Sequence, residues 1–347
     1  MPRLFTTILS LLLFTITIGY FASGCRKSDN PNSLTYLSQT VPAGFPDPSF
    51  RFAGNPLSKE GFELGRKLFY DGRLSLDGNF PCSSCHQQEA AFGLFDHDRA
   101  HGYNNSHTLR NAPPLFNLAW QKGYHWDSAY SSIYAAIAQP INGHVEMAES
   151  FAGVTKKLQA DPDYRAAFKK VFGTQFIQPD HILKALEQFT GSLLSADSKY
   201  DRVKRGEASF TANEQSGYTL FLAKCNSCHT EPLFTDHRFR NNGLPLDPAL
   251  NDFGKMMTTR QPKDSLLFKV PSLRNVAVSN NYMHDGRFNT LAQCLIHYRT
   301  NVQPGPTLDP QLAGGIPLTD AEIRHLVEFM GTLTDTGFVR NPALARP

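Results

Sequence analysis

The run Cys82-Ser83-Ser84-Cys85-His86 recurs as Cys225-Asn226-Ser227-Cys228-His229. Cys-x-x-Cys-His is the attachment signature of a c-type haem: two thiols form thioethers to the porphyrin vinyl groups and the adjacent histidine becomes an axial ligand to iron. A chain with two such runs must wrap two large flat groups, which constrains its fold more than any other feature. A structural zinc would need four ligands, and pooling the two cysteine pairs into one site would leave His86 and His229 unexplained. A thioredoxin-like dithiol needs no trailing histidine and expects a βαβ setting that is not visible here. Two covalent haem c groups are therefore expected, attached through Cys82, Cys85, Cys225 and Cys228, with His86 and His229 on the irons.

The N-terminus supplies an address that suits this chemistry. Arg3 precedes an apolar run from Leu4 to Phe21 and then Ala22-Ser23-Gly24-Cys25. Small residues before a cysteine resemble a bacterial lipoprotein cleavage site, so residues 1–25 read as a signal ending at a lipidated Cys25; a retained membrane anchor is the alternative. Either way the body is exported, to the periplasm on this reading, and is tied to a membrane only through that anchor. Of six cysteines, four belong to the haem motifs and one is Cys25, which leaves Cys294 with no disulfide partner and reads as a small buried apolar residue. The formal charge of +3 is too mild to suggest nucleic acid, and 41% apolar residues with 26 Phe provide surface to enclose flat cofactors.

A length of 347 residues allows about two domains. Residues 26–50, with Asn30-Pro31, Pro42 and Pro46-Asp47-Pro48, read as an extended tether. From Ser58 to Tyr70 a short apolar helix leads into the first motif; before the second, Thr211 and Glu214 fit a capping box ahead of Tyr218, Leu220, Phe221 and Leu222. Both lead-ins contain Gly-x-x-Leu-Phe, at Gly65 and Gly217, and both motifs are followed by Leu-Arg-Asn, at Leu109-Arg110-Asn111 and Leu273-Arg274-Asn275. These echoes point to an internal duplication with one haem in each half, residues 51–205 and 206–347. Helical spacing over 151–158, 164–172 and 181–194, a second capping box at Thr319 to Glu322, and scarce alternation predict a mainly α fold: two cytochrome c-like haem domains with few short strands.

A haem that only carries electrons has both axial positions filled, whereas a haem enzyme leaves one face open beside a proton-transfer group. Pro140-Ile141-Asn142-Gly143-His144-Val145-Glu146-Met147 places a lone carboxylate in an apolar setting. Beyond about residue 50, Ala91-Phe92, Arg110-Asn111-Ala112-Pro113, Trp126-Asp127, Pro140-Ile141, Val145-Glu146-Met147, Val270-Pro271-Ser272-Leu273-Arg274-Asn275 and Tyr282-Met283-His284-Asp285-Gly286 follow one another. With these motifs the chain resembles the bacterial di-haem cytochrome c peroxidase family, which includes the maturation enzyme of methylamine dehydrogenase. The resemblance implies a peroxidatic haem at His86, an electron-transfer haem at His229, Glu146 as acid-base group and Trp126 as relay between the haems. It also implies a Ca2+ site with Asn111 as side-chain ligand and Ser279 and Asn281 giving backbone carbonyls.

The departures from the family pattern are informative. Many members have a distal histidine on the peroxidatic haem, and that position holds Tyr103, with His101 and His107 nearby. A glutamine expected ten residues before Glu146 is Ala136, for which Gln139 could compensate. The methionine that ligates the second haem in many members is replaced by Tyr298, similar to the tyrosine ligand of the maturation enzyme; Met283 and His297 are rivals. The expected activity is reduction of H2O2 to water with electrons from a small cytochrome c or cupredoxin. A high-valent di-haem oxidase acting on a protein or organic substrate is the second enzyme reading, and a di-haem electron carrier the non-enzymatic one. A homodimer is the usual state in the family.

Overall fold

The structure, a computed structural model, describes residues 33–347. The signal, Cys25 and the start of the tether lie outside the described residues. The fold is mainly helical, as the spacing predicts: the elements are α1 (Lys59–Phe69), α2 (Ile133–Asn142), α3 (Phe151–Ala160), α4 (Pro162–Phe172), α5 (Pro179–Gly191), α6 (Lys199–Lys204), α7 (Ala212–Lys224), α8 (Met256–Thr259), α9 (Leu291–Ile296), α10 (Asp320–Gly331) and α11 (Thr336–Val339). One antiparallel pair, β1 (Phe239–Arg240) with β2 (Phe268–Lys269), supplies the short strands.

Helix α1 starts where the Ser58 side chain accepts from Gly61 N, and it carries Glu60 in its first turn and Arg66 and Lys67 in its last, in line with the helix dipole. Its buried face, Leu64, Leu68 and Phe69, packs on Ile182, Leu186 and Phe189 of α5. Gly65 sits against the Ala185 carbonyl and the Phe189 side chain, where any Cβ would collide. The second half repeats this. Helix α7, started by the predicted Thr211–Glu214 capping box, crosses α10, started by the predicted Thr319–Glu322 box, and Gly217 sits against the His325 carbonyl and the Phe329 side chain. A glycine at each crossing lets two helix backbones approach closely, and each crossing anchors an apolar cluster beside a Cys-x-x-Cys-His run.

Further correspondences are spaced along the chain as Asn117 is from Asn275. Both asparagines are left-handed, with φ 52° and 57°, and start a 3-10 turn. Tyr124 bridges Tyr130 as Tyr282 bridges Phe288; His125 and Met283 have positive φ, as do Ser128 and Gly286; and Ser132 and Thr290 cap the next helices. The counterpart of Leu273-Arg274-Asn275 is thus Leu115-Phe116-Asn117, and the Leu109-Arg110-Asn111 echo is out of register. The reason is physical: what repeats is a left-handed backbone position that asparagine tolerates, not the arginine.

Two segments cross the expected boundaries. Residues 34–50 are fastened to the body instead of trailing as a tether: Leu37 N–H reaches Leu57 O, Phe50 N–H reaches Ala119 O, Trp120 Nε1 donates to Pro46 O at 2.7 Å, and Phe45 meets the Trp120 ring edge-on. Phe338, Val339 and Leu344, at the far end of the chain, belong to the apolar cluster of the first half. Tyr70 Oη donates to Leu344 O, and the Gln88 amide to Asn341 O, fixing that tail. Residues 34–347 form one compact unit.

Candidate functional site: two haem-attachment motifs and a shared cavity

The two motifs fold alike. His86 N–H bonds to Cys82 O at 3.0 Å, and His229 N–H to Cys225 O at 3.0 Å, so each run coils into one tight turn, and in the first Cys82, Cys85 and His86 all line one cavity. Burial pushes the Cys82 and Cys225 thiols up to about 12 and Cys85 to about 11, the reverse of the low-pKa thiols of redox dithiols. No group of three or more His, Cys, Asp or Glu suited to a metal occurs among the described residues, so a pooled zinc site finds no support.

Both histidines are prepared as ligands. His86 Nδ1 lies 2.9 Å from Phe92 O; His229 Nδ1 lies 3.3 Å from Phe234 O and 3.1 Å from Pro271 O. Phe92 and Phe234 hold φ near +59° and +56°, left-handed turns that aim these carbonyls. A carbonyl on Nδ1 fixes the proton there and leaves the Nε2 lone pair for a metal. Burial pulls the His86 imidazole down to about 4 and lowers His229 as well, so both are neutral, as ligation requires.

A cavity of about 520 Å3 opens beside Cys82, Cys85 and His86. Its walls are mostly apolar, with Phe69, Ile133 and Met147 among them, and its size and lining suit a large flat cofactor. The site residues of the first half converge on it: Trp126, Gln139 and Glu146 all line it. Burial raises the Glu146 carboxyl above its ordinary value, while Gln139 Nε2 donates to Glu146 Oε2 at 2.6 Å and partly offsets this. Ala136 leaves the place of the expected glutamine without an amide, and Gln139, on the following turn of α2, provides it. Tyr103 donates its backbone N–H to Glu146 O at 2.6 Å, and Gly102 packs flat on the Val145 and Glu146 carbonyls, so the loop 96–108 closes over the carboxylate segment. His101 touches the cavity, but its Nδ1 is tied to Asn105 Oδ1 and its ring lies between those of His97 and His107.

Trp126 Nε1 donates to Asn111 O at 2.9 Å, and Lys269 N–H donates to Trp126 O at 2.8 Å, so the indole is held between a loop of the first half and β2. Arg110 fixes that region from behind, bidentate on Asp252 and 2.8 Å from Asp127. Asn111 is buried with its amide on Asp98 O, and Asn281 Nδ2 bonds Phe95 O, so two of the three expected calcium ligands meet on the loop 95–98. The Ser279 hydroxyl donates to Val276 O.

Around the second motif the candidate ligands share Asn242. Tyr298 is half-buried, its hydroxyl bonds the Asn242 side chain, and burial, with Cys294, Cys225 and Cys228 close by, pushes it up to about 12. Asn242 Nδ2 also lies 3.6 Å from Met283 Sδ. His297 is committed elsewhere, with Nε2 on Asn242 O at 3.0 Å. Tyr298 lies in a π-helical stretch, His297–Asn301, that follows α9, and its carbonyl accepts from Ile316 N at 2.7 Å. Such bulges redirect side chains and recur at functional sites. Cys294 is half-buried and not the fully buried residue expected; its thiol donates to Thr290 O and is pushed up to about 12 by its surroundings. Asn242 escaped the sequence reading, and only the Asn-Asn-Gly turn it belongs to could have drawn attention to it.

Comparison with known proteins agrees with this architecture. The family model described as di-haem cytochrome c peroxidase matches residues 59–209. The chain is 34% identical over 287 residues to the methylamine utilization protein MauG of Methylorubrum extorquens, covering 80% of this chain and 79% of that one. It is 32% identical to the cytochrome c551 peroxidase of Nitrosomonas europaea, over 70% of this chain and 74% of the relative. A solved structure of a MauG-like protein associated with microbial copper homeostasis superposes with a TM-score of 0.83 at 32% identity, covering 90% of this chain and 99% of that one. With two matching haem-attachment turns, ligand-ready histidines and relatives aligned across most of its length, this chain belongs to the di-haem cytochrome c peroxidase family.

Proposed function

We propose that the protein is a periplasmic di-haem peroxidase that reduces H2O2 to water with electrons from a small cytochrome c or cupredoxin. The observation that carries this reading is Glu146: a half-buried carboxylate, raised in pKa by desolvation, held by one amide, on the cavity beside the first motif. Cys82, Cys85 and His86 would hold one haem and Cys225, Cys228 and His229 the other, with Tyr298 or Met283 as the second ligand there. Bound in these places, the two groups supply the redox chemistry. Glu146 takes the proton from one peroxide oxygen and returns it to the departing one, so that water leaves instead of hydroxide. Gln139 keeps the carboxylate facing the cavity, and the apolar wall keeps bulk water from competing for its proton. Trp126, fixed at its carbonyl by Lys269 N–H and at its indole N–H by Asn111 O, is the relay between the halves.

The repeated glycine crossings and the constant spacing of the left-handed turns support descent of the two halves from one haem domain. That spacing brings Tyr298 opposite Pro140, which has no ligand atom, so the first half lacks a counterpart of the tyrosine and offers Glu146 instead. Calcium on Asn111 with the Ser279 and Asn281 carbonyls, a homodimer and a lipid anchor at Cys25 complete the proposal. No helix among the described residues is long and apolar enough to cross a membrane.

Intact-mass measurement of protein expressed in a periplasm should show two haem increments, and their absence would overturn the account. Glu146→Gln should slow peroxide cleavage about 100-fold while leaving both haem spectra unchanged, the range for loss of an acid-base group. Tyr298 favours a second reading, an oxidase that acts on a protein or organic substrate. If its phenolate is the ligand, the His229 haem should lack the near-infrared band of Met/His ligation, and Tyr298→Met should create that band. A band already present in the wild type would assign Met283 and remove the support for the oxidase.

A further inference from the structure

The cavity beside the first motif is walled by both halves of the chain, and its wall carries two groups that the proton chemistry leaves unused, His237 and Lys269. Lys269 closes β2 opposite Phe239. Its ammonium is half-buried and reaches Gln121 Oε1 at 2.5 Å and Gly123 O at 2.8 Å, both uncharged, and no carboxylate forms a salt bridge with it among the described residues. Burial pulls this amine down to about 8, with Asp127 offsetting only part of the effect. His237 sits at a φ of +56° with its N–H on Thr235 Oγ1, and its Nε2 is buried with no hydrogen-bond partner. Burial, then the positive charges of Lys269 and Lys122, pull its imidazole down to about 4.

A half-buried cation on a mostly apolar cavity wall without an anion, and a buried ring nitrogen without a partner, are each unfavourable by themselves. Here they face one cavity, and a single carboxylate would satisfy both, accepting from His237 and pairing with Lys269. A haem carries two propionate carboxylates that need such partners when the ring is buried. We infer that His237 and Lys269 together hold a propionate of the haem attached to Cys82 and Cys85. This rests on the reading of that site as a haem site. It means that residues following the second motif grip the cofactor of the first. The strand that places the ammonium also holds Trp126, through the Lys269 N–H.

The test uses holoprotein. Intact mass first establishes that two haems are attached; a wild type lacking the increment at Cys82 and Cys85 would overturn the haem reading itself. Spectroelectrochemistry and resonance Raman then address the inference alone. A cation beside the iron favours its reduced state. Lys269→Met should therefore lower the reduced-to-oxidised ratio of the His86 haem at fixed applied potential about tenfold, which is about 59 mV for one electron. His237→Leu and Lys269→Met should both shift the propionate bending band of that haem, with the His229 haem unmoved, and Lys269→Arg should restore band and potential. Should Lys269→Met fail to fold, Lys269→Gln keeps length and hydrogen bonding without the charge and gives the same reading. Two haems present, with neither band nor potential changed in the folded variants, would overturn the inference. So would a wild-type band and potential that respond to added acetate, since the pair would then be binding a free carboxylate.

Discussion

Among individual residues the burial of Glu146 has a direct kinetic reading. A carboxylate out of water holds its proton to higher pH than an exposed one, and only the deprotonated form can accept a proton from peroxide. Peroxide cleavage should therefore fall as pH drops through a pKa above the ordinary glutamate value of about 4.3. Gln139→Leu removes the amide that opposes this shift, so the inflection should move further up; a stopped-flow pH profile of the first phase reads both. An inflection that stays in place would show that Gln139 does not control the carboxylate. Glu146 stood out in the sequence as a lone acid in an apolar, proline-punctuated run, and the family resemblance is what gave it a role. Its partner was legible only as a compensation for Ala136, since which amide reaches the acid depends on the turn of α2 that faces it.

At the scale of elements, the crossings of α1 with α5 and of α7 with α10 repeat one device, a glycine pressed on a carbonyl of the partner helix. Gly65→Ala and Gly217→Ala should each destabilise by about 1–3 kcal/mol through overpacking. Each should broaden the spectrum of its own haem before the other's, as denaturation followed at the two haem bands would show. Equal effects on both haems from either change would mean that the halves do not yield separately. The helices, their capping boxes and the Gly-x-x-Leu-Phe echo could be read from the chain because they depend on local pattern. The register between the halves could not: Leu109-Arg110-Asn111 looks like the partner of Leu273-Arg274-Asn275, yet the backbone pairs Asn275 with Asn117, since a left-handed turn leaves only a weak trace in residue type. For the same reason Asn242, whose role lies in reaching Tyr298 and Met283 across the fold, gave little local sign.

For the molecule as a whole, the ends of the chain decide how independent the halves are. Residues 34–50, which composition alone makes a tether, are held by Trp120 and by backbone hydrogen bonds, because proline-rich chain with scattered aromatics can still dock where a partner surface awaits it. Deleting residues 336–347 removes Phe338, Val339 and Leu344 from the cluster around α1 and α5. The deletion should lower the denaturation midpoint of the His86 haem more than that of the His229 haem, although it lies far from the former in sequence. The reverse order would show that the tail serves the half it follows. This packing also bears on biogenesis. As the chain is made from its N-terminus, Cys82 and Cys85 arrive early, but the apolar wall behind them is not completed until Phe338, Val339 and Leu344 have followed. The first pair of cysteines is thus made long before the apolar wall that backs it, and the second pair too precedes its supporting helix α10, so in both halves the attachment residues are in place before the cores behind them have closed.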